Sequence, residues 1–272
     1  MKTIIIILPF LIKLSLAQHS ILILEKQTNL PLYTVNVALL KKDIGTTTNE
    51  NGVALLNINK NDSILITLVG YKAIRGTIIN TNTDTFFLEK KIIVNDNITI
   101  KAVKYSNTIE LGFTKGKPKH KLIMIGGGTT AVYIENKDKL SGVVKSIKLQ
   151  LEITKKISNS SIRIRVFEAD ENQKPAEELT YENVLLGYNN LKRVTIIDLE
   201  KYKLPITKLG IFIAIEFVTL ERDEKSGIVI KCIETTPNDY SWSNYKDKNW
   251  RKFNPPIIEK ILTPKISIKV KY

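Results

Sequence analysis

Apolar and polar residues alternate with a period of two through most of the chain, and turn residues break that alternation at short intervals. The pattern puts successive side chains on opposite faces of an extended backbone, and so predicts half-buried β-strands. Ser20-Ile21-Leu22-Ile23-Leu24 is the first, closed by Thr28-Asn29-Leu30-Pro31. Tyr33, Val35, Val37 and Leu39 share one face of the second. Thr46-Thr47-Thr48 and the run from Val53 to Ile58 flank Asn51-Gly52, a pair suited to the left-handed backbone of a tight hairpin turn. Ser63 to Val69, Ile74 to Ile79, Thr85 to Leu88 and Ile98 to Ala102 complete a set of roughly seven strands, with no helical period among them. Many short strands with regular turns predict an antiparallel β-sandwich.

Polar punctuation at Asn95-Asp96-Asn97 and from Lys104 to Asn107 places a domain boundary near residue 106. Strand patterns resume at Ile109 to Phe113, Leu122 to Ile125, Thr130 to Ile134, Val143 to Ile153 and Ile162 to Phe167. They continue at Arg193 to Leu199, Gly210 to Leu220, Gly227 to Ile233 and Lys265 to Tyr272. Ile147, Leu149, Leu151 and Ile153 share a face, and Arg163 and Arg165 lie opposite Ile162, Ile164 and Val166. Ile211 to Val218 is apolar except for Glu216, which predicts a central strand buried on both faces. The expected fold class is all-β, with two tandem sandwiches: residues 18–105, and a larger, jelly-roll-like unit at 106–272.

Four signatures in the first unit occur in order: a strand, Thr28 to Leu32 ahead of Val35-Asn36-Val37, Gly45 to Gly52, and Leu68-Val69-Gly70-Tyr71. Together they resemble the carboxypeptidase regulatory-like domain. That family is a seven-stranded, transthyretin-like sandwich, common at the N-termini of exported and outer-membrane proteins of Gram-negative bacteria. Leu30 departs from the small or acidic residue often found in the family's turn. The resemblance implies a non-catalytic module. The second unit is similar, more loosely, to a C-terminal sandwich in exported proteins bearing the same N-terminal module. The matching segments are Arg163 to Phe167, Lys174-Pro175, Val194 to Leu199 and Gly210 to Phe217. It implies no activity.

The N-terminus changes the picture of where the protein acts. Met1-Lys2, an apolar run from Ile4 to Leu16 and the small residues Ser15 and Ala17 form the three-part pattern of a signal peptide, residues 1–17, cleaved before Gln18. The run is shorter than the roughly 20 apolar residues that span a bilayer, and no later stretch qualifies, so no transmembrane segment is expected after its removal. The expected location is the periplasm, the outer-membrane surface or the medium. Cys232 is the only cysteine, in an alternating strand, and is expected to be a buried apolar residue; no intrachain disulfide can form. The net charge of +14 is mostly lysine spread along the chain among acids, unlike the clustered arginine and lysine of nucleic-acid readers. Nucleic acid is therefore not an expected partner. Other envelope proteins or surface glycans are.

Candidate chemistry is sparse. The two histidines, His19 and His120, belong to no HExxH-like pair, so no zinc site, and no other cofactor, is expected. His120 reads as a solvated residue in a basic loop. Gly126-Gly127-Gly128-Thr129-Thr130 lacks the lysine of a phosphate-binding loop and continues as strand, so it reads as a hairpin loop. No G-x-S-x-G elbow is present. Asp170-Glu171 and Glu177-Glu178 flank Pro175 in an expected loop, and Glu216 is the carboxylate that a jelly-roll carbohydrate hydrolase would use. Pairing of Glu216 with Arg163 or Arg165 across the sheet is the simpler expectation. The best ligand-binding candidates are Tyr240, Trp242, Tyr245 and Trp250, in a polar tract lacking strand alternation. Exposed rings there would suit sugar stacking or protein capture; alternatively Trp242 and Trp250 cap a sheet edge as a satellite core. The expected function is a non-catalytic exported binding or structural module, with carbohydrate binding as the alternative.

Overall fold

The computed structural model describes residues 19–42, 44–79, 83–91, 105–153, 160–219, 228–235, 241–247, 249–253 and 261–272. The expected signal peptide and the expected strand Ile98 to Ala102 lie outside the described residues. The chain is all-β, as the alternation predicts. The first group of strands is β1 His19–Glu25, β2 Asn36–Leu39, β3 Gly45–Thr47, β4 Val53–Leu56, β5 Ser63–Thr67, β6 Ile74–Thr77 and β7 Thr83–Leu88. They form two sheets, ordered β4-β1-β7 and β3-β2-β5-β6. Ile21, Ile23, Val37, Leu39, Ile64, Ile66 and Leu88 meet in one buried core, each on the inward phase of its strand.

Three details differ from the sequence reading. β1 and β7 run parallel, with Leu22 opposite Thr85, so the unit is not wholly antiparallel. A parallel neighbour needs a long crossover, and the intervening strands supply it. Asn51-Gly52 does not close a hairpin, because β3 and β4 belong to different sheets. Only Gly52 is left-handed (φ 71°), and a Cβ there would lie 2.6 Å from the Ile23 carbonyl oxygen. Asn49 Oδ1 accepts the N–H groups of Asn51 and Val53, each at 3.0 Å, which fixes this inter-sheet turn without a hairpin. Tyr33 leaves the face shared by Val35, Val37 and Leu39, because Thr34 adopts φ 58° and interrupts the two-residue phase.

The second group begins with β8 Thr108–Gly112, β9 His120–Met124, β10 Gly128–Ile134, β11 Gly142–Glu152, β12 Ser160–Ala169, β13 Pro175–Glu178 and β14 Val184–Gly187. It continues with β15 Val194–Asp198, β16 Pro205–Ile206, β17 Ile211–Thr219, β18 Ile228–Thr235, β19 Ser241–Tyr245, β20 Arg251–Lys252, β21 Ile261–Pro264 and β22 Ile266–Lys271. One sheet runs β13-β12-β17-β10-β19-β20 with β14 beside β12. The other runs β21-β18-β11-β22-β8, with β15 and β16 on β11 and β9 on β18. Their facing sides share a core that includes Val132, Ile134, Ile147, Leu149, Ile162, Ile164, Ile213, Ile215, Phe217 and Ile268.

β17 is buried along its whole length, as its apolar run predicts. Ile153 lies past the end of β11 and is exposed, unlike Ile147, Leu149 and Leu151. The strands the alternation missed are short or polar: β13 reads Pro-Ala-Glu-Glu, and its pairing with β12 carries it. Among the described residues the helical segments are two single 3-10 turns, Tyr188–Asn190 and Glu200–Tyr202. No described helix is long and apolar enough to cross a membrane.

Candidate functional site

The two-residue phase that sends Ile162, Ile164 and Val166 into the core sends Arg163 and Arg165 to the opposite face of β12. On β17 the same rule places Glu216 on that face, directly across from Arg163 in the register. The face is not solvated. Asn36 on β2 and Thr67 on β5 point outward from the first group of strands and land on it. Arg163 Nη1 donates to Glu216 Oε2 at 2.9 Å, its Nε to Asn183 Oδ1 at 2.8 Å and its Nη2 to the Thr34 carbonyl at 2.5 Å. Asn36 Nδ2 donates to Glu216 Oε1 at 2.7 Å, and Thr47 Oγ1 to the Thr219 carbonyl at 3.2 Å. Arg163 and Glu216 are each only 1% exposed.

Arg165 extends the network. Its Nε and Nη2 donate to the two oxygens of Glu178 at 2.8 and 2.7 Å, and its Nη1 pairs with Asp247. Asp247 also accepts from Thr67 Oγ1 and from Asn36 Nδ2, so it too bridges the two groups of strands. Lys246 and Asp247 both adopt left-handed backbone, φ 49° and 58°, in the turn that follows β19. Such conformations are costly for non-glycine residues and persist where surrounding contacts over-determine them. Here Asp247's bonds do so. The Lys246 stem lies against Gly45 and Gly127: a Cβ on Gly127 would fall 2.1 Å from its Cε, and one on Gly45 3.0 Å from its Cγ. The glycine run Gly126 to Gly128 does form the turn into β10, and Gly127 makes room for this lysine.

Burial and charge pull on these groups in opposite directions. Burial opposes ionisation of Asp247, but the Arg165 guanidinium and the Thr67 hydroxyl outweigh it and hold the carboxyl at about 2. Burial also opposes charge on Arg165, yet Asp247 and Glu178 keep its pKa well above the ordinary value. For Lys246 burial prevails over Glu216 and Asp247 and lowers the amine to about 8. The network thus matches cations Arg163, Arg165 and Lys246 against anions Glu178, Glu216 and Asp247. Its chemistry is adhesive. Glu216 has both oxygens bound and almost no exposure, and so no path to a substrate.

The aromatic tract divides. Tyr240 lies outside the described residues. The tract was expected to lack strand, but Trp242 and Ser243 pair with Ala131 and Thr130 of β10 on one side and with Lys252 and Arg251 of β20 on the other. Backbone pairing to a central strand overrides the weak side-chain alternation. Trp242 joins Tyr133, Phe167, Phe212 and Ala214 in a small second core, and its indole N–H donates to the Gln173 carbonyl at 3.0 Å. Tyr245 ends β19 and is half-buried. Trp250 packs edge-on to Phe167, with ring centroids 5.2 Å apart and planes at 83°. It also lines an open cleft of about 380 Å³ with Arg165, Phe167, Lys174, Pro175, Asn244, Asp247 and Asn249. Asn244 Oδ1 is buried and has no hydrogen-bond partner.

The remaining candidates lie apart from this network, except Glu178. His120 is not in a loop: it opens β9 and sits 2.6 Å from Glu234 Oε1. His19 is buried 3.0 Å from Asp84 Oδ2, where β1 meets β7. The expected acidic loop is a turn leading into β13. Asp170 accepts the N–H groups of Asn172 and Lys174 at 2.9 Å, and Glu178 is committed to Arg165. Cys232 is buried, and burial raises its thiol to about 12. Among the described residues, no group of His, Cys, Asp and Glu could hold a metal ion.

Sequence reasoning found Arg163, Arg165 and Glu216 but missed Asn36, Thr67, Lys246 and Asp247. Asn36 left a faint signal, as a polar residue inside Val-Asn-Val-Ala-Leu, all of which is buried. Lys246 and Asp247 left none. No protein-family model matches the chain, and no curated protein matches it.

Proposed function

We propose that the chain is a non-catalytic, exported binding module of the bacterial cell envelope, built from two β-sandwiches in tandem. The first, residues 18–105, is read as carboxypeptidase regulatory-like, and its seven described strands in two sheets around one core support that reading. The second, residues 106–272, is read as jelly-roll-like on its two larger facing sheets. The observation that carries the non-catalytic reading is the sealing of Glu216, the best candidate acid, between Arg163 and Asn36. A carboxylate with one oxygen on a guanidinium, the other on an amide, and no opening to solvent can neither reach a glycosidic oxygen nor attack a sugar. The partners proposed are envelope proteins or surface glycans. The cleft beside Trp250 favours glycans.

Two measurements test this. Intact mass of the protein recovered from an envelope or medium fraction is expected to correspond to a chain starting at Gln18. A panel of chromogenic glycosides and glycans is expected to show no turnover above that of Glu216→Gln. Turnover by the intact chain that disappears in Glu216→Gln overturns the non-catalytic reading, and a full-length, cell-retained product overturns export.

A further inference from the structure

We propose that the cleft beside Trp250 binds a neutral pyranose ring, such as one hexose unit of a surface glycan. The inference rests on the binding-module reading and adds the class of ligand. The volume of about 380 Å³ falls in the range of roughly 300–1,000 Å³ typical of small-molecule sites. Its apolar lining comes from Trp250, Phe167 and Pro175. A sugar ring presents C–H groups on its faces, and rigid aromatic surface covers them at little entropic cost.

The polar lining matches hydroxyl groups. Asn244 and Asn249 each carry an amide that both donates and accepts, the same dual capacity as a sugar hydroxyl. Asn244 Oδ1 is buried with no donor to meet it. An acceptor left so is costly, and because it is closed to solvent a ligand hydroxyl meets it only when the Asn244 side chain turns toward the cleft.

Charge argues for a neutral ligand. The guanidinium lining the cleft is already used: Arg165 Nε and Nη2 hold Glu178, and Nη1 holds Asp247. No fork remains for a phosphate or carboxylate. The Asp247 carboxylate is equally spent, on Arg165, Thr67 and Asn36. Lys174 is exposed and lies outside this network. The cleft is also preformed, since Phe167, Pro175 and Asn244 sit on β12, β13 and β19, and Asp247 is tied to the first group of strands.

The test is titration of the full chain with neutral oligosaccharides of glucose, galactose and mannose at high salt, read by calorimetry and by tryptophan fluorescence. At least one is expected to bind. Trp250→Ala is expected to weaken it by more than about tenfold, as loss of a central aromatic anchor does. Asn249 is exposed, so Asn249→Ala keeps the fold intact and is expected to weaken binding several-fold, while Lys117→Ala, at an exposed residue that does not line the cleft, leaves it within about twofold. Three results overturn the assignment: no neutral sugar binds; binding survives both Trp250→Ala and Asn249→Ala; or acidic polymers alone bind and salt erases the signal. The last would be nonspecific attraction to a chain of net charge +14. None of them touches the non-catalytic reading, which falls only on turnover.

Discussion

Replacing Glu216 by Gln removes one charge and keeps the shape of the side chain. Arg163 then remains 1% exposed with no anion within its 2.9 Å contact, and Arg165, still paired with Glu178 and Asp247, loses a third countercharge 3.9 Å away. Asn36 Nδ2 and Arg163 Nη1 then compete for one amide oxygen where they had two, and the amide nitrogen faces the donor left over, so the change removes the charge together with one hydrogen bond. Deleting one member of a buried pair costs about 3–5 kcal/mol, because the partner's desolvation is no longer offset. Domains of this kind have a total of roughly 5–15 kcal/mol, so the loss is a large share. With a urea slope of about 3 kcal/mol per molar, the midpoint should fall by about 1 M or more. The assay is equilibrium urea unfolding followed by far-ultraviolet circular dichroism. Arg163→Met combined with Glu216→Leu removes both charges and is expected to recover most of the loss, short of the hydrogen bonds to Asn36 and Asn183. A loss below about 1 kcal/mol in Glu216→Gln would refute the argument, since it would mean that water reaches Arg163.

Two further outcomes follow from geometry. Cys232 should not react with a thiol reagent in the native protein and should take up one equivalent in urea, as read by intact mass, because its thiol is buried and raised to about 12. Gly70→Ala should lower the unfolding temperature by several degrees, at a cost of about 1–3 kcal/mol. Gly70 has φ 82°, and a Cβ there would lie 2.4 Å from the Tyr181 carbonyl oxygen. An unchanged temperature would show that the two groups of strands are not packed together at Tyr181.

The sequence displayed whichever parts of this architecture depend on side-chain alternation, and hid those that depend on the backbone or on distant segments. β11, β12 and β17 were legible because one face of each is a run of Ile, Leu and Val. β13 and β20 were not, because edge strands form by backbone pairing and tolerate charged residues. The Arg163–Glu216 pair was legible because two charges inside apolar strands need each other. Their covering by Asn36 and Thr34 was not, because those partners lie more than a hundred residues away in the chain. The aromatic tract misled in part: Trp242 follows the strand and goes inside, while Trp250 lines the cleft. Composition alone cannot separate two tryptophans eight positions apart on opposite sides of a turn.

Lys246 shows that this interface was not built for stability alone. Its amine is held at about 8 by burial, below the ordinary 10.5, so at neutral pH the folded chain carries an ammonium it would rather not have. At about 1.36 kcal/mol for each tenfold change in proton affinity, the cost near pH 7 is about 3 kcal/mol. Between about 8 and 10.5 the unfolded chain binds more protons at this site than the folded one, so the contribution of Lys246 becomes less unfavourable as pH rises through that window. Lys246→Met keeps the stem between Gly45 and Gly127 and removes the charge. It should therefore raise the urea midpoint at pH 7, and the gap between variant and parent should close as pH approaches 10.5. If the variant is less stable at pH 7, or the gap does not narrow, the ammonium is needed by Glu216 and Asp247 more than burial penalises it. A costly lysine at the centre of a charge-matched interface makes sense as a device of register. Apolar contacts would tolerate sliding of one sheet over another, whereas Arg163 pairs with Glu216, and Arg165 with Glu178 and Asp247, in this register, with the charge of Lys246 set near Glu216 and Asp247. That arrangement holds Asp247 beside Trp250 and so sets the shape of the cleft.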